Sequence, residues 1–340
     1  MRKGRRVLWA AILGLFCCLL AGCPEIQTRP KQPEAADAYE AAEQFLSALQ
    51  TGDYDTAMLY LEEGDDLLYV LPAAQEGAES VPLMDPVYRQ FCQRLGETVY
   101  SVSPEDTGLF DTVNVTIEQR DYGAAIRAAM LEAMDSQAKQ GGDSFADLAG
   151  WMQKGVEQAQ PGAEDTAMAV FAAKRGGHYL QHRGAPDQTF LNLLTGGFYD
   201  YADITMTTCS QTTAEGHEYR YYIAAAGDRV LACLLCEYYD GGPQDQQAVD
   251  AYQQEFIDAF ASQPGIYQGV RMEDGKVVTS LGIDFEEANQ TFLMNIGMVS
   301  GKYDSNFSAD YLSLRSTVNS FEKSGMTCVT VPEYPEDPGR

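Results

Sequence analysis

The sequence predicts an α+β protein of two tandem domains, each an antiparallel sheet packed with helices. Helical periodicity comes first, in residues 36–95, and alternating strands follow in sequence-adjacent pairs. The turns between these strands are short and glycine-bearing, as at Gly227-Asp228 and Asp274-Gly275. Because tight hairpins join antiparallel strands, whereas parallel strands need a long crossover, we expect α+β and not a parallel α/β sheet.

The first predicted domain covers residues 36–205. Tyr39, Phe45 and Leu49 recur at helical spacing and predict a helix over 36–50 that ends at Gly52. The other elements predicted in this domain are a short helix after residue 54, a helix over 85–95, strands over 98–103 and 112–119, a helix capped by Asp121, a helix over 144–158 closed by the turn at 160–162, a hairpin over 166–182, a helix over 187–194 and a strand through Ile204.

The second predicted domain covers residues 206–332. The exposed turn nearest the boundary is predicted at 210–216, between two apolar strands. Its further predicted elements are hairpins over 218–239 and 267–283, a helix through Val249 and Phe260, a partly helical stretch over 284–295, a helix capped by Ser313 and a strand over 326–331. Residues 333–340, rich in proline and acid, are predicted to be disordered.

The chain has 340 residues and a formal charge of −27. Residues 1–23 carry four basic and no acidic side chains, so the remainder is near −31. Such a surface repels phosphate backbones and anionic lipid headgroups, which argues against nucleic-acid binding and against peripheral membrane binding. We interpret the acidity mainly as a solubilising surface.

The N-terminal stretch has the layout of a secretory signal. Four basic residues precede an apolar run that closes with Leu20-Ala21-Gly22-Cys23, and this ending resembles a bacterial lipobox. A transmembrane helix is the alternative, but residues 7–22 are short for about 30 Å of hydrocarbon. We expect residues 1–23 to be a lipoprotein signal peptide, Cys23 to carry the acyl lipid, and residues 24–35 to be a tether.

Five cysteines lie beyond the lipobox: Cys92, Cys209, Cys233, Cys236 and Cys328. Cys92 follows Phe91 on the apolar side of a helix, which predicts a buried free thiol. Pairing among the other four is left open; a bond from Cys328 to Cys233 or Cys236 is possible but not favoured. Cys233 and Cys236 are three apart on a predicted strand, so they point to opposite faces and are unsuited to a shared metal.

No catalytic motif is present, and we assign no catalytic, metal or cofactor-binding residue. His178 and His182 flank a hairpin arm about 13 Å apart, too far for one metal ion. Asp284 stands out as an acid at the end of an apolar strand, and we interpret it as the cap of a following helix. Tyrosines cluster near the domain junction and could line a ligand or partner surface: Tyr199, Tyr201, Tyr219, Tyr221 and Tyr239.

Two family resemblances add to this interpretation. FLSALQTGDYDTAMLYL at 45–61, DTVNVTIEQRDY at 111–122 and FLNLLTGGFYDY at 190–201 make residues 36–205 resemble nuclear-transport-factor-2-like, or cystatin-like, lipoprotein domains. That resemblance implies helices lying across a curved sheet to form a cone with a pocket. AGDRVLACLLCEYY, GVRMEDGKVVTSLGIDFEEAN and SLRSTVNSFEKSGMTCV resemble the YehR-like lipoprotein domain over about 216–331, which implies a secreted α+β domain without established activity.

The expected function is that of a lipoprotein on the extracytoplasmic face of a Gram-positive bacterial membrane, acting as a non-catalytic binding or interaction module. Its partners would be the membrane, through the Cys23 lipid, and an unknown small ligand or envelope protein. The alternatives are a pocket enzyme in the first domain and an accessory subunit of a membrane complex. A buried acid–base pair would favour the enzyme, whereas an open apolar groove would favour binding.

Overall fold

The computed structural model describes residues 32–61, 82–104, 111–174, 177–181, 185–239, 263–288 and 312–332, with a few further positions in 67–71 and 250–260. The predicted signal, most of the tether, most of the helix through Val249 and Phe260, most of 284–295 and the tail over 333–340 lie outside the described residues. The described positions of that predicted helix, 250, 251, 254, 258 and 260, are helical. The helices are α1 (Ala38–Thr51), α2 (Tyr54–Met58), α3 (Asp85–Gly96), α4 (Tyr122–Gln140), α5 (Leu148–Gln158), α6 (Ala185–Thr195) and α7 (Leu314–Lys323), with a 3₁₀ turn at Phe198–Tyr201.

The first sheet is a four-stranded antiparallel meander with strand order β1-β2-β3-β4. Its strands are β1 (Tyr100–Pro104), β2 (Thr112–Arg120), β3 (Pro161–Lys174) and β4 (Gly177–Gln181). The sequence predicted a turn at 160–162, but β3 already starts at Pro161, which pairs with Arg120. Proline fits the first position of a strand, where a missing N–H costs least.

The second sheet has six antiparallel strands in the order β10-β5-β6-β7-β9-β8. They are β5 (Ile204–Thr212), β6 (Glu218–Ala226), β7 (Arg229–Tyr239), β8 (Ile266–Glu273), β9 (Lys276–Asp284) and β10 (Thr327–Val331). The described helices and these two antiparallel sheets confirm the α+β class. The turn predicted nearest the domain boundary connects β5 to β6, so it lies within the second sheet.

Local capping explains where several helices begin and end. Asp37 accepts a hydrogen bond from the Glu40 amide at the start of α1, and Asp121 accepts one from the Ala124 amide at the start of α4. Ser313 caps α7 through the Ser316 amide. Gly52 ends α1 with φ of 71°, a left-handed conformation that glycine adopts at little cost.

Aromatic side chains occupy the space between α1 and the first sheet. The Phe45 ring lies 5.9 Å from the Phe171 ring of β3 and 6.3 Å from the Tyr60 ring, measured between centroids. All three residues are fully buried. The face of this sheet towards α1 is therefore packed with aromatic side chains where these rings meet.

Helix α4 lies against β8 and β9 of the second sheet. Glycine permits the close approach, because a Cβ built on Gly269 would stand 2.2 Å from the Ala138 carbonyl oxygen of α4. Gly282 likewise faces Met134 of α4. One hydrophobic core consequently includes side chains from both sides of residue 205, such as Ile126 and Val278.

A second, smaller cluster covers the other face of the six-stranded sheet. It consists of Ile223, Ala225, Val230 and Cys233, with Leu314 and Phe321 of α7 packed against it. Contacts group the described residues from 35 onward into one unit. The expected division at residue 205 into separately folding domains stays a prediction.

Candidate functional site

A group of charged side chains surrounds the buried Asp284 where α4 meets the end of β9. An Arg127 Nη2 donates a hydrogen bond to Oδ2 of Asp284, whose side chain has 0% exposure. The other carboxylate oxygen, Oδ1, accepts from the Glu286 amide at 3.0 Å. Both oxygens of Asp284 are thus engaged, one by a helix of the first half and one by its own turn.

Within the described residues, Asp284 caps a turn over 285–288. The Ala288 amide donates to the Asp284 carbonyl oxygen at 2.8 Å, and residues 285–288 form turns. The remainder of the expected helix, over 289–295, lies outside the described residues. The carboxylate of a short Asp side chain commonly binds the backbone N–H two residues onward in such turns.

Three more charged side chains surround this pair. Arg127 Nε lies 2.9 Å from Glu286 Oε2, and Arg127 Nη1 lies 3.5 Å from Glu287 Oε1. Arg229 Nη2 approaches Glu286 Oε1 at 2.7 Å. We call Arg127, Arg229, Asp284, Glu286 and Glu287 the α4–β9 charge cluster.

Opposing influences set the pKa values in this cluster. Burial raises the pKa of Asp284 above its ordinary value, and the Glu286 amide and Arg127 only partly counteract it. For Arg127, burial by itself would lower the pKa, but the carboxylates of Asp284, Glu286 and Glu287 raise it above the ordinary value. The guanidinium therefore stays charged, which suits a permanent ion pair better than proton transfer.

A second arginine joins α4 to the same sheet. Arg271 of β8 donates from Nη1 to the Ala138 carbonyl oxygen at 3.1 Å and to Ser280 Oγ at 2.7 Å. Its Nε and Nη2 lie 2.8 and 2.7 Å from Glu273 Oε2. Arg271 therefore caps the C-terminal end of α4, where carbonyl groups lack helical partners.

Asp284 stands out in the sequence, whereas Arg127 and Arg271 do not. Arg127 is one of two basic residues within α4, whose buried face is mostly apolar, and this was the available signal. Arg271 stands between Val270 and Met272 on a strand, a position that alternation alone does not distinguish from a solvated one. The sequence does not indicate which carboxylate Arg127 binds or which carbonyl group Arg271 binds.

The five tyrosines of the predicted surface fall into two places. Tyr199 and Tyr201 lie in the 3₁₀ turn, where Tyr201 is buried and Tyr199 packs against the main core. Tyr219, Tyr221 and Tyr239 share one face of β6 and β7. There the Tyr221 ring lies 4.5 Å from Phe321, and the Tyr239 ring meets His217 edge-on at 5.5 Å.

A disulfide joins Cys209 of β5 to Cys328 of β10, at directly paired positions with Cα atoms 4.1 Å apart. The sequence had named Cys233 or Cys236 as possible partners of Cys328, and neither is. Cα atoms of paired residues approach this closely at non-hydrogen-bonded positions of an antiparallel ladder, which brings the two sulfur atoms together.

The three remaining described thiols are free and buried. Cys92 is fully buried, which confirms that prediction, and burial raises its pKa to about 12. Cys233 belongs to the smaller core and Cys236 to the main core, so they point to opposite faces as expected. Burial also raises the pKa of Cys233 to about 12, which keeps it in the poorly nucleophilic thiol form.

One residue of the histidine pair and the predicted lipidation site lie outside the described residues. His178 lies in β4, whereas His182 falls outside the described residues, as does Cys23. Among the described residues, no three histidine, cysteine or acidic side chains gather as metal ligands would. Within that same part of the chain, no helix combines the length and apolar character needed to cross a membrane.

No family model and no curated protein matches the sequence. Two solved structures are similar to part of the chain. The Escherichia coli YehR protein is 14% identical with a TM-score of 0.31, covering 38% of this chain and 92% of its own. A protein from Streptococcus pneumoniae TIGR4 is 12% identical with a TM-score of 0.27, covering 37% of this chain and 85% of its own. Neither likeness assigns an activity or a site residue to this chain.

Proposed function

We propose that this protein is a lipid-anchored lipoprotein of the extracytoplasmic membrane face that acts as a non-catalytic binding or interaction module. The observation that carries the non-catalytic part is the state of Asp284. It is the acid that the sequence singled out, and both of its carboxylate oxygens are engaged in contacts within the fold. A catalytic acid or base instead needs an oxygen within hydrogen-bond reach of a substrate.

The buried thiols support the same proposal. A nucleophilic cysteine requires a lowered pKa and access to substrate, whereas Cys92 and Cys233 are buried and have raised pKa values. The proposal also includes that residues 36–205 form a nuclear-transport-factor-2-like domain and residues 206–332 a YehR-like domain. These two assignments are supported by the sequence segments that carry the resemblances.

The catalytic alternative is tested by screening the purified protein for turnover. Substrates would be peptidoglycan fragments, glycans, esters and phosphoesters, and we expect no saturable turnover of any of them. Because two carboxylates can suffice for glycoside hydrolysis, the screen includes Asp284→Asn as the matched carboxylate variant. Saturable turnover that a single carboxylate substitution abolishes would overturn the binding-module proposal in favour of the pocket enzyme.

Membrane attachment is tested at Cys23. We expect wild-type cells to incorporate radiolabelled fatty acid into this protein, and Cys23→Ala to abolish both incorporation and signal cleavage. Cys18→Ala is the matched control, because Cys18 lies in the same apolar run and should leave lipidation intact. Label that persists in Cys23→Ala would contradict the lipobox assignment.

The partner surface that we propose is the face carrying Tyr219 and Tyr239. Both are half-buried, and Tyr239 meets His217 edge-on, whereas Tyr201 is buried and Tyr221 packs on Phe321. A photo-crosslinking amino acid at position 219 or 239 should form adducts on intact cells, and one at the buried position 201 should not. Equal labelling at all three positions would contradict a surface at this face.

A further inference from the structure

Two arginine side chains meet the C-terminal end of α5. Arg94 of α3 donates from Nη2 to the carbonyl oxygens of Glu157 and Ala159 at 2.8 and 3.3 Å. Arg120, the last residue of β2, donates from Nη1 to the same Ala159 oxygen at 3.3 Å. The last carbonyl groups of a helix lack helical partners and carry partial negative charge, so they attract both guanidinium groups.

Polar atoms close to these arginines remain unsatisfied. The Tyr122 hydroxyl and Arg94 Nε are buried and have no hydrogen-bond partner in the part of the chain that the structure describes. Tyr122 is 1% exposed, and its ring packs edge-on against Phe91 at 5.2 Å, one helical turn before Arg94. Arg120 Nη2 lies 3.6 Å from Glu97 Oε2, beyond direct hydrogen-bond range.

These unsatisfied groups are all hydrogen-bond donors. Guanidinium nitrogens only donate hydrogen bonds, and the phenol can donate its proton. Arg94 and Arg120 outnumber Glu97, so the local formal charge is positive in a chain with net charge −27. Burial raises the pKa of Tyr122, while the charges of Arg120 and Arg94 lower it in part.

We propose that Tyr122, Arg94 and Arg120 form a binding site for one small hydrogen-bond acceptor, a halide-sized anion or a water molecule. The site lies between α3, the end of β2 and the start of α4. Buried donors in native proteins nearly always have a partner, and a single acceptor here would satisfy the Tyr122 hydroxyl and Arg94 Nε together. Glu97, whose side chain is 52% exposed, marks the side open to solvent.

Replacement of Tyr122 by phenylalanine tests whether the hydroxyl has a partner. If the acceptor is bound, Tyr122→Phe should raise the unfolding equilibrium constant about fivefold, as loss of a hydrogen bond does. Tyr88→Phe is the matched control, since the Tyr88 hydroxyl donates to the Ala202 carbonyl oxygen at 2.8 Å and the residue is 3% exposed. An unchanged or lowered constant for Tyr122→Phe, beside a raised one for Tyr88→Phe, would overturn the proposal.

Halide titration distinguishes the two acceptors. Urea unfolding of the wild type would be measured in sodium chloride, bromide and fluoride at equal ionic strength. Stabilisation by chloride or bromide over fluoride that disappears in Tyr122→Phe, but persists in Tyr88→Phe, identifies a halide. No difference among the halides, with the Tyr122→Phe loss retained, identifies water.

Discussion

Arg127 and Asp284 stand 157 residues apart in the chain, yet their side chains form a hydrogen-bonded ion pair. Asp284 is fully buried and Arg127 keeps 24% of its side-chain surface exposed. An isolated buried carboxylate is far more costly than a paired one, so the residues depend on each other. The intact ion pair adds little net stability, because a well-packed apolar pair in the same place can be equally stable. Each residue matters because its loss leaves the other charge without a partner.

Replacing Arg127 with alanine leaves Asp284 buried without its counter-charge. We expect the free energy of unfolding to fall by about 3–5 kcal/mol, as measured by urea denaturation. The double variant Arg127→Met/Asp284→Leu, which removes both charges, should recover most of that loss. A double variant as unstable as Arg127→Ala would show that packing and not charge is responsible.

Acidification should affect Asp284 in a defined direction. Its folded-state pKa is raised, so the folded protein binds this proton more readily than the unfolded chain does. The contribution of Asp284 to stability therefore rises as the pH falls through its folded-state pKa towards its ordinary value. Between pH 7 and pH 4 the wild type should gain stability relative to Asp284→Asn, and a relative loss in urea denaturation would contradict the raised pKa.

The burial of the three free thiols predicts how they react with an alkylating reagent. In the native protein we expect iodoacetamide to leave Cys92, Cys233 and Cys236 unlabelled, because they are buried and burial raises their pKa values. After denaturation without reduction all three should react, whereas Cys209 and Cys328 should react only after reduction. Mass spectrometry of peptides reads out each position, and native labelling of Cys92 would contradict its burial.

Elements whose bounds depend on local chemistry were predictable from the sequence. Asp121, Ser313 and Asp274-Gly275 signal a helix start or a hairpin within a few residues, and the structure places those elements accordingly. Contacts between distant elements were not predictable. The Arg127–Asp284 pair and the Cys209–Cys328 disulfide depend on which strands become neighbours, and local patterns carry no such information.

The close packing of α4 on β8 gives a prediction at the element scale. A Cβ on Gly269 would stand 2.2 Å from a backbone oxygen of α4, so Gly269→Ala must push the helix outward. We expect a loss of about 1–3 kcal/mol in the free energy of unfolding. Gly96→Ala is the control, since its nearest atom would be 3.4 Å away, and it should be near neutral. Equal effects of the two substitutions would contradict this packing.

The two halves of the molecule are connected by more than the chain near residue 205. Arg127 and Arg271 connect α4 to β9 and β8, and the main core includes Ile126 of the first half and Val278 of the second. The β5–β6 turn provides a place to cut the chain beyond these contacts. Because this turn lies within the second sheet, cleavage there breaks the chain between the paired strands β5 and β6 without touching α4.

Limited proteolysis at Glu215, which is exposed in that turn, should give a defined result. A glutamate-specific protease under native conditions should release no separate fragment, because Cys209 and Cys328 lie on opposite sides of the cut and remain bonded. After reduction, a denaturing gel should then show a C-terminal fragment of about 125 residues, of ordinary domain size. The Cys209→Ser/Cys328→Ser variant should give that fragment without reduction. Uniform degradation in its place would argue against separate domains, and separation of the unreduced wild type would contradict the disulfide.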